Sequence, residues 1–80
     1  MIEVERYETW ADEHLSKGGT YHEIEASKCF SQVIRLAFDE ATLNRCIEKL
    51  DLYISEHSNC NQNIIKAKGW AEEKKLELNK

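Results

Sequence analysis

Six side chains in this 80-residue sequence belong to the types that ligate metals or act as nucleophiles and bases: His14, His22, His57, Cys29, Cys46 and Cys60. A structural zinc site needs four such ligands, usually in close pairs such as Cys-x-x-Cys with His-x-x-x-His. The one close pair is His57-x-x-Cys60, whose further ligands must come from distant parts of the chain. A nucleophilic thiol needs a base beside it and a group orienting that base. His57 and Cys60 are again the only local pair, with no oxyanion donors marked near them. His22-Glu23 and Glu56-His57 lack the second His that a zinc peptidase helix carries four residues on. The simplest expectation is three reduced thiols, with Cys29 and Cys46 as small core residues and Cys60 in a polar stretch.

Two further patterns touch on chemistry. Lys17-Gly18-Gly19-Thr20 has the residue types of a phosphate loop but not their order, and no buried strand precedes it. Asp12-Glu13, Asp39-Glu40 and Glu72-Glu73 are adjacent carboxylates. Neighbours on a helix point in different directions and do not converge as an acid and base. A chain this short buries only roughly 60–65% of its unfolded surface and lacks volume for a deep ligand pocket. The expectation is a protein that is not an enzyme, with no catalytic residue, no metal and no cofactor.

Helices must position these residues. Val4, Tyr7, Trp10, Ala11, His14 and Leu15 recur in steps of three and four, which places them on one face of a helix over about 3–17. Gly18-Gly19 ends it. Thr20 with Glu23 three residues on reads as a capping box for a second helix over about 21–38. Its wide apolar face (Ile24, Ala26, Phe30, Val33, Ile34, Ala37, Phe38) marks it as central, and Phe30 and Phe38 as core. Asp39 is the expected N-cap of a third helix over 40–56, whose apolar face holds Leu43, Cys46, Ile47, Leu50 and Ile54. The polar run 56–63 is a loop, since its Asn, Ser and His side chains compete for backbone hydrogen bonds. A fourth helix over 63–78 carries Ile64, Ile65, Ala67, Trp70 and Ala71, with Gly69 as a weak point. No hairpin turn or sustained alternation marks a strand. The expected fold is all-α, a small bundle of about four helices with a central antiparallel hairpin, in one domain over 1–80.

Residues 7–36 resemble a single tetratricopeptide-type helical hairpin. Tyr7, Trp10, Ala11 and His14 stand at the spacings of that family's first helix. Gly18, Gly19 and Tyr21 suit its turn, and Ala26, Phe30 and Val33 its second helix. The turn is about two residues longer than in the family, and no second copy follows in residues 43–78. The resemblance implies a helical hairpin that binds protein.

Charge sets the partner class. Fifteen acidic residues against eleven basic ones give a net charge of −4, which disfavours a binder driven by phosphate neutralisation. The charge is uneven. Residues 1–25 hold seven carboxylates against Arg6 and Lys17, and residues 61–80 hold five lysines against Glu72, Glu73 and Glu77. The start lacks the basic and apolar runs of a secretory signal. The apolar stretch 33–38 is too short to span a bilayer, so a cytoplasmic location without membrane contact is expected. The function expected is a non-catalytic adaptor, regulator or inhibitor that binds a larger protein or complex. A homodimer through an apolar helix face is a further expectation. The candidate contact residues are Trp70, Tyr53, Glu5, Glu8 and Asp12. Two alternatives place the function elsewhere: a nucleic-acid-associated regulator using the Lys-rich last helix, or an acidic nucleic-acid-mimicking decoy using Glu3, Glu5, Glu8, Asp12 and Glu13.

Overall fold

The computed structural model describes residues 2–79; Met1 and Lys80, the ends of the expected domain, lie outside it. The fold is a small all-α bundle of four helices: α1 (Ile2–Lys17), α2 (Gly19–Leu36), α3 (Glu40–Glu56) and α4 (Gln62–Leu78). Among the described residues there is no strand.

The core stripe of α1 is Val4, Glu8, Ala11 and Leu15, at steps of four, three and four, with Tyr7 and His14 partly buried beside it. Trp10 lies off this stripe and is 43% exposed. It meets the edge of Tyr7 at 5.6 Å and lies under the Arg6 guanidinium rather than packing α1 onto α2.

Gly18 and Gly19 both have positive φ, 71° and 85°, and Gly18 has ψ 179°. Only glycine adopts that combination without strain, which is why the chain reverses here. The turn is shorter than the spacing of Thr20 and Glu23 suggests. α2 starts at Gly19, Gly18 takes the N-cap position, and no side chain caps it. The capping box does not form, because the Glu23 carboxylate points inward to other partners.

Ala26, Phe30, Val33, Ile34 and Ala37 carry the core stripe of this segment, and α2 stops at Leu36, two residues before the expected end. Lys74 of α4 donates to the carbonyl of Ile34 (2.5 Å), which also accepts the Ala37 amide at 3.4 Å, and to that of Arg35 (2.8 Å), so it helps satisfy the acceptors of the last helical turn. Ala37 is extended, and Phe38, expected in the core, is 91% exposed. It sits in the short connection between two helix ends and belongs to neither apolar face. Asp39 is the N-cap of α3, but its carboxylate accepts the Thr42 hydroxyl (2.8 Å) rather than a backbone amide. Asn61 caps α4 through its side-chain oxygen, which accepts from the Asn63 amide.

α2 is central: it packs closely on α1 and α4, α3 packs on α4, and the α2–α3 pair is the loosest of those in contact. Small residues, Ala67 and Ala71, let α4 approach its neighbours closely. The seam between α1 and α3 has no comparable backbone approach among the described residues.

Candidate functional site

That loose seam is the most distinctive surface of the molecule. Long charged side chains span it. Glu8 accepts from Arg45 Nε and Nη2, both at 3.0 Å, and from Lys49 Nζ at 3.1 Å. Lys49 also reaches Asp12 at 3.0 Å. Beyond this bridge, toward the C-terminal ends of both helices, the seam opens into a groove of about 480 Å³. One wall is Leu15, Ser16, Lys17 and Gly18; the other is Leu52, Tyr53, Glu56 and His57. Its apolar ground is Leu15 and Leu52, with Leu52 59% exposed. A chain this short was expected to lack such a volume; an open seam between helices supplies it without a large core.

The wall on α3 is held from behind. Glu23 of α2 is 7% exposed, and its Oε2 accepts the Tyr53 hydroxyl at 2.5 Å while Oε1 accepts the Asn61 amide at 2.8 Å. One carboxylate thus ties together α2, α3 and the start of α4. Burial and the adjacent Glu23 carboxylate push the Tyr53 hydroxyl well above its ordinary value, so it is held as a hydrogen-bond donor. His57 stacks on the Tyr53 ring at 4.0 Å, with its Nδ1 3.1 Å from the Tyr53 carbonyl.

Arg45 hydrogen bonding holds the Glu8 carboxyl below its ordinary value of 4.5, aided by Lys49 and opposed by burial. A carboxylate depressed in the folded state stabilises the fold above the unfolded value, and that contribution is lost as pH falls through the folded one. Arg45 is half exposed, which limits the effect. Glu8→Gln is expected to cost about 1–2 kcal/mol at pH 7. In denaturant unfolding the gap between the two proteins is expected to narrow as pH falls below 4.5 and through the lower folded value, where the paired carboxylate is protonated. A gap that does not change with pH would assign the cost to packing.

The thiols are poised against nucleophilic use. Burial pushes Cys46 up to about 12, and burial with nearby carboxylates raises Cys29 and Cys60. The thiolate is the reactive form, and it is disfavoured at all three. The link between His57 and Cys60 is a backbone one, the Cys60 amide donating to the His57 carbonyl at 3.0 Å. Among the described residues, no three His, Cys, Asp or Glu side chains gather in a metal-holding group. His14 and His22 do meet across the glycine turn, Nδ1 to Nδ1 at 2.9 Å. Their ring centres are 5.2 Å apart, which is the nitrogen separation plus one ring radius at each end. The nitrogens therefore lie on the line between the rings, the geometry of a hydrogen bond in which one ring donates and the other accepts.

The sequence-derived contact residues scatter. Tyr53 is 5% exposed and serves mainly as a core strut within the groove wall. Glu8 is buried and neutralised by Arg45 and Lys49, and Asp12 is paired with Lys49. That engages two of the five carboxylates of the decoy surface and leaves Glu3, Glu5 and Glu13 exposed. Trp70 is half exposed on the other side of the bundle, beside Ile24, Ser27 and Asn63. The lysines of α4 are partly engaged, Lys68 with Asp51 and Lys74 with the end of α2. The acidic first helix is thus met by α3 and not by the basic last helix. Leu52, Lys49 and Glu23 were not expected at a site. The signal for Glu23 was present: it precedes Ala26, Ser27 and Phe30 by three, four and seven residues, which puts it on the core stripe.

Compared with models of protein families, with curated proteins and with solved structures, the chain matches none.

Proposed function

We propose that this chain is a non-catalytic protein-binding module, a small adaptor, regulator or inhibitor of a larger protein assembly, and that the α1–α3 groove is its contact surface. The observation that carries this reading is the open seam itself. Three seams of the bundle are closed by helix packing, whereas this one is bridged by side chains and keeps Leu15 and Leu52 within reach of solvent. An amphipathic segment of a partner lays its apolar side chains into such a groove while its polar face remains wet. The α3 wall is braced where Glu23 holds Tyr53 from behind, which lowers the ordering cost on that side of the interface.

Leu52→Glu is the test. Leu52 is well exposed, so the substitution leaves the helical circular dichroism intact. In affinity capture from the source cell, followed by mass spectrometry, it is expected to lose a protein that the wild type retains, a drop of tenfold or more. Trp70→Ala is expected to retain it. Equal capture by wild type and Leu52→Glu, with loss in Trp70→Ala, would move the contact to the α2–α4 face and overturn the groove assignment.

A further inference from the structure

Gly69 has no role inside the fold. It lies in the middle of α4, where glycine costs about 1 kcal/mol against alanine. Its φ is not positive, since Gly18 and Gly19 are the glycines with that conformation. A Cβ built on it would meet nothing within 4 Å. Neither backbone geometry nor internal packing therefore requires a glycine at this position. An uncovered glycine on a helix does permit one thing, the close approach of a second backbone.

The surroundings of Gly69 fit such an approach. Ile65, Gly69 and Leu76 follow one another at four and seven residues and share a face of α4 opposite the buried Ile64, Ala67 and Ala71. Ile65 is 52% and Leu76 67% exposed. Charges flank this stripe in a definite order. Lys66 and Lys68 lie before Gly69, and Glu72 and Glu73 lie after it, with Lys66 and Glu73 on one edge and Lys68 and Glu72 on the other. Within four residues of Gly69 the helix is basic before it and acidic after it, with Lys74 turned away to the end of α2 and Lys75 and Glu77 farther out, and that local order is complementary to itself in the antiparallel sense. A two-fold axis close to Gly69 sets Lys66 against Glu73 of the second copy, and Glu73 against its Lys66. The Lys68–Glu72 edge repeats the pairing, although Lys68 is shared with Asp51 of its own chain. A parallel arrangement sets lysine on lysine and glutamate on glutamate.

We propose that α4 packs antiparallel on α4 of a second copy of this chain, with the two helices crossing at Gly69. The interface is isologous, as a two-fold contact requires. It uses none of the residues that line the α1–α3 groove and does not rest on that assignment. A single pair of helices, each about 25 Å long, buries an area at the low end of specific interfaces. The dimer is therefore weak and is sensitive to salt through its charged edges.

Sedimentation equilibrium of the full chain, from micromolar to millimolar concentration at low salt, tests the proposal. The wild type is expected to pass from monomer to dimer across that range. Gly69→Gln, a better helix former that adds bulk without charge or apolar surface, is expected to raise the dissociation constant at least tenfold while the helical circular dichroism is kept. Lys66→Glu alone and Glu73→Lys alone are expected to remain monomeric, and their equimolar mixture to dimerise. A wild type that stays monomeric throughout, a Gly69→Gln protein that dimerises as the wild type does, or a mixture no more associated than its components would each overturn the pairing.

Discussion

Glu23→Ala is expected to lower the stability of this protein by about 3 kcal/mol, because it strips the partner from a buried hydroxyl and a part-buried backbone amide at once. The Tyr53 hydroxyl and the Asn61 amide both donate to this carboxylate, at 2.5 and 2.8 Å. When the side chain is cut back to a methyl group, Tyr53, at 5% exposure, is too buried to turn to water. Hydrogen bonds to a charged acceptor are among the stronger ones, and an orphaned buried donor carries its full desolvation cost. In a domain of this size the loss corresponds to a fall in Tm of roughly 12–24 °C. Tyr53→Phe removes one donor and leaves the Asn61 bond in place, so its cost is smaller, about 1–2 kcal/mol. The double variant is expected to cost less than the sum of the singles, since the shared bond is lost only once. Thermal unfolding of the three variants measures this, and hydrogen exchange at the Asn61 amide reports the second bond separately. A Glu23→Ala protein within 0.5 kcal/mol of the wild type would mean that water already serves these donors. The consequence reaches the groove, because Tyr53 is part of its wall and carries the stacked His57.

The four-helix pattern was legible because each helix repeats its apolar residues over several turns and is followed by a distinct break: two glycines, an Asp cap, or a run of Asn and Ser. What the periodicity left out is where a polar residue occupies the apolar stripe. Glu8 lies four after Val4 and three before Ala11, and Glu23 lies seven before Phe30. Both are inward on spacing alone. A reading that counts only apolar residues sends them to solvent, and a reading of local caps assigns Glu23 to Thr20. Their true partners, Arg45 and Lys49 for one and Tyr53 and Asn61 for the other, are 30 or more residues away. Such pairings depend on how the helices are arranged, which no local pattern encodes. The groove was invisible for the same reason. It is a property of two helices not adjacent in sequence, and Leu52 becomes a site residue only because α1 stands off from α3.

The two phenylalanines separate these levels most sharply, and Phe30→Ala is expected to be the most damaging single change considered. Phe30 and Phe38 lie eight residues apart, close to two helical turns, so the sequence places them on one face. The structure gives Phe30 no exposure and Phe38 91%. The helix ends between them: Lys74 occupies the carbonyls of Ile34 and Arg35, Ala37 turns extended, and the periodicity that linked the two rings no longer applies. Truncating Phe30 removes the largest fully buried side chain, in the helix that packs on all three others. The transfer and cavity contributions together are about 3–5 kcal/mol. Against a total stability of about 5 kcal/mol for a small domain, that leaves a protein near its unfolding threshold at room temperature. Phe38→Ala creates no cavity and is expected to stay within about 0.5 kcal/mol of the wild type. Paired urea titrations give both values with the same slope expected for each, since the same surface is exposed on unfolding. A Phe38→Ala protein destabilised by 2 kcal/mol or more would place that ring against the neighbouring Val4 and Leu36, and would show that helical periodicity continues through the connection.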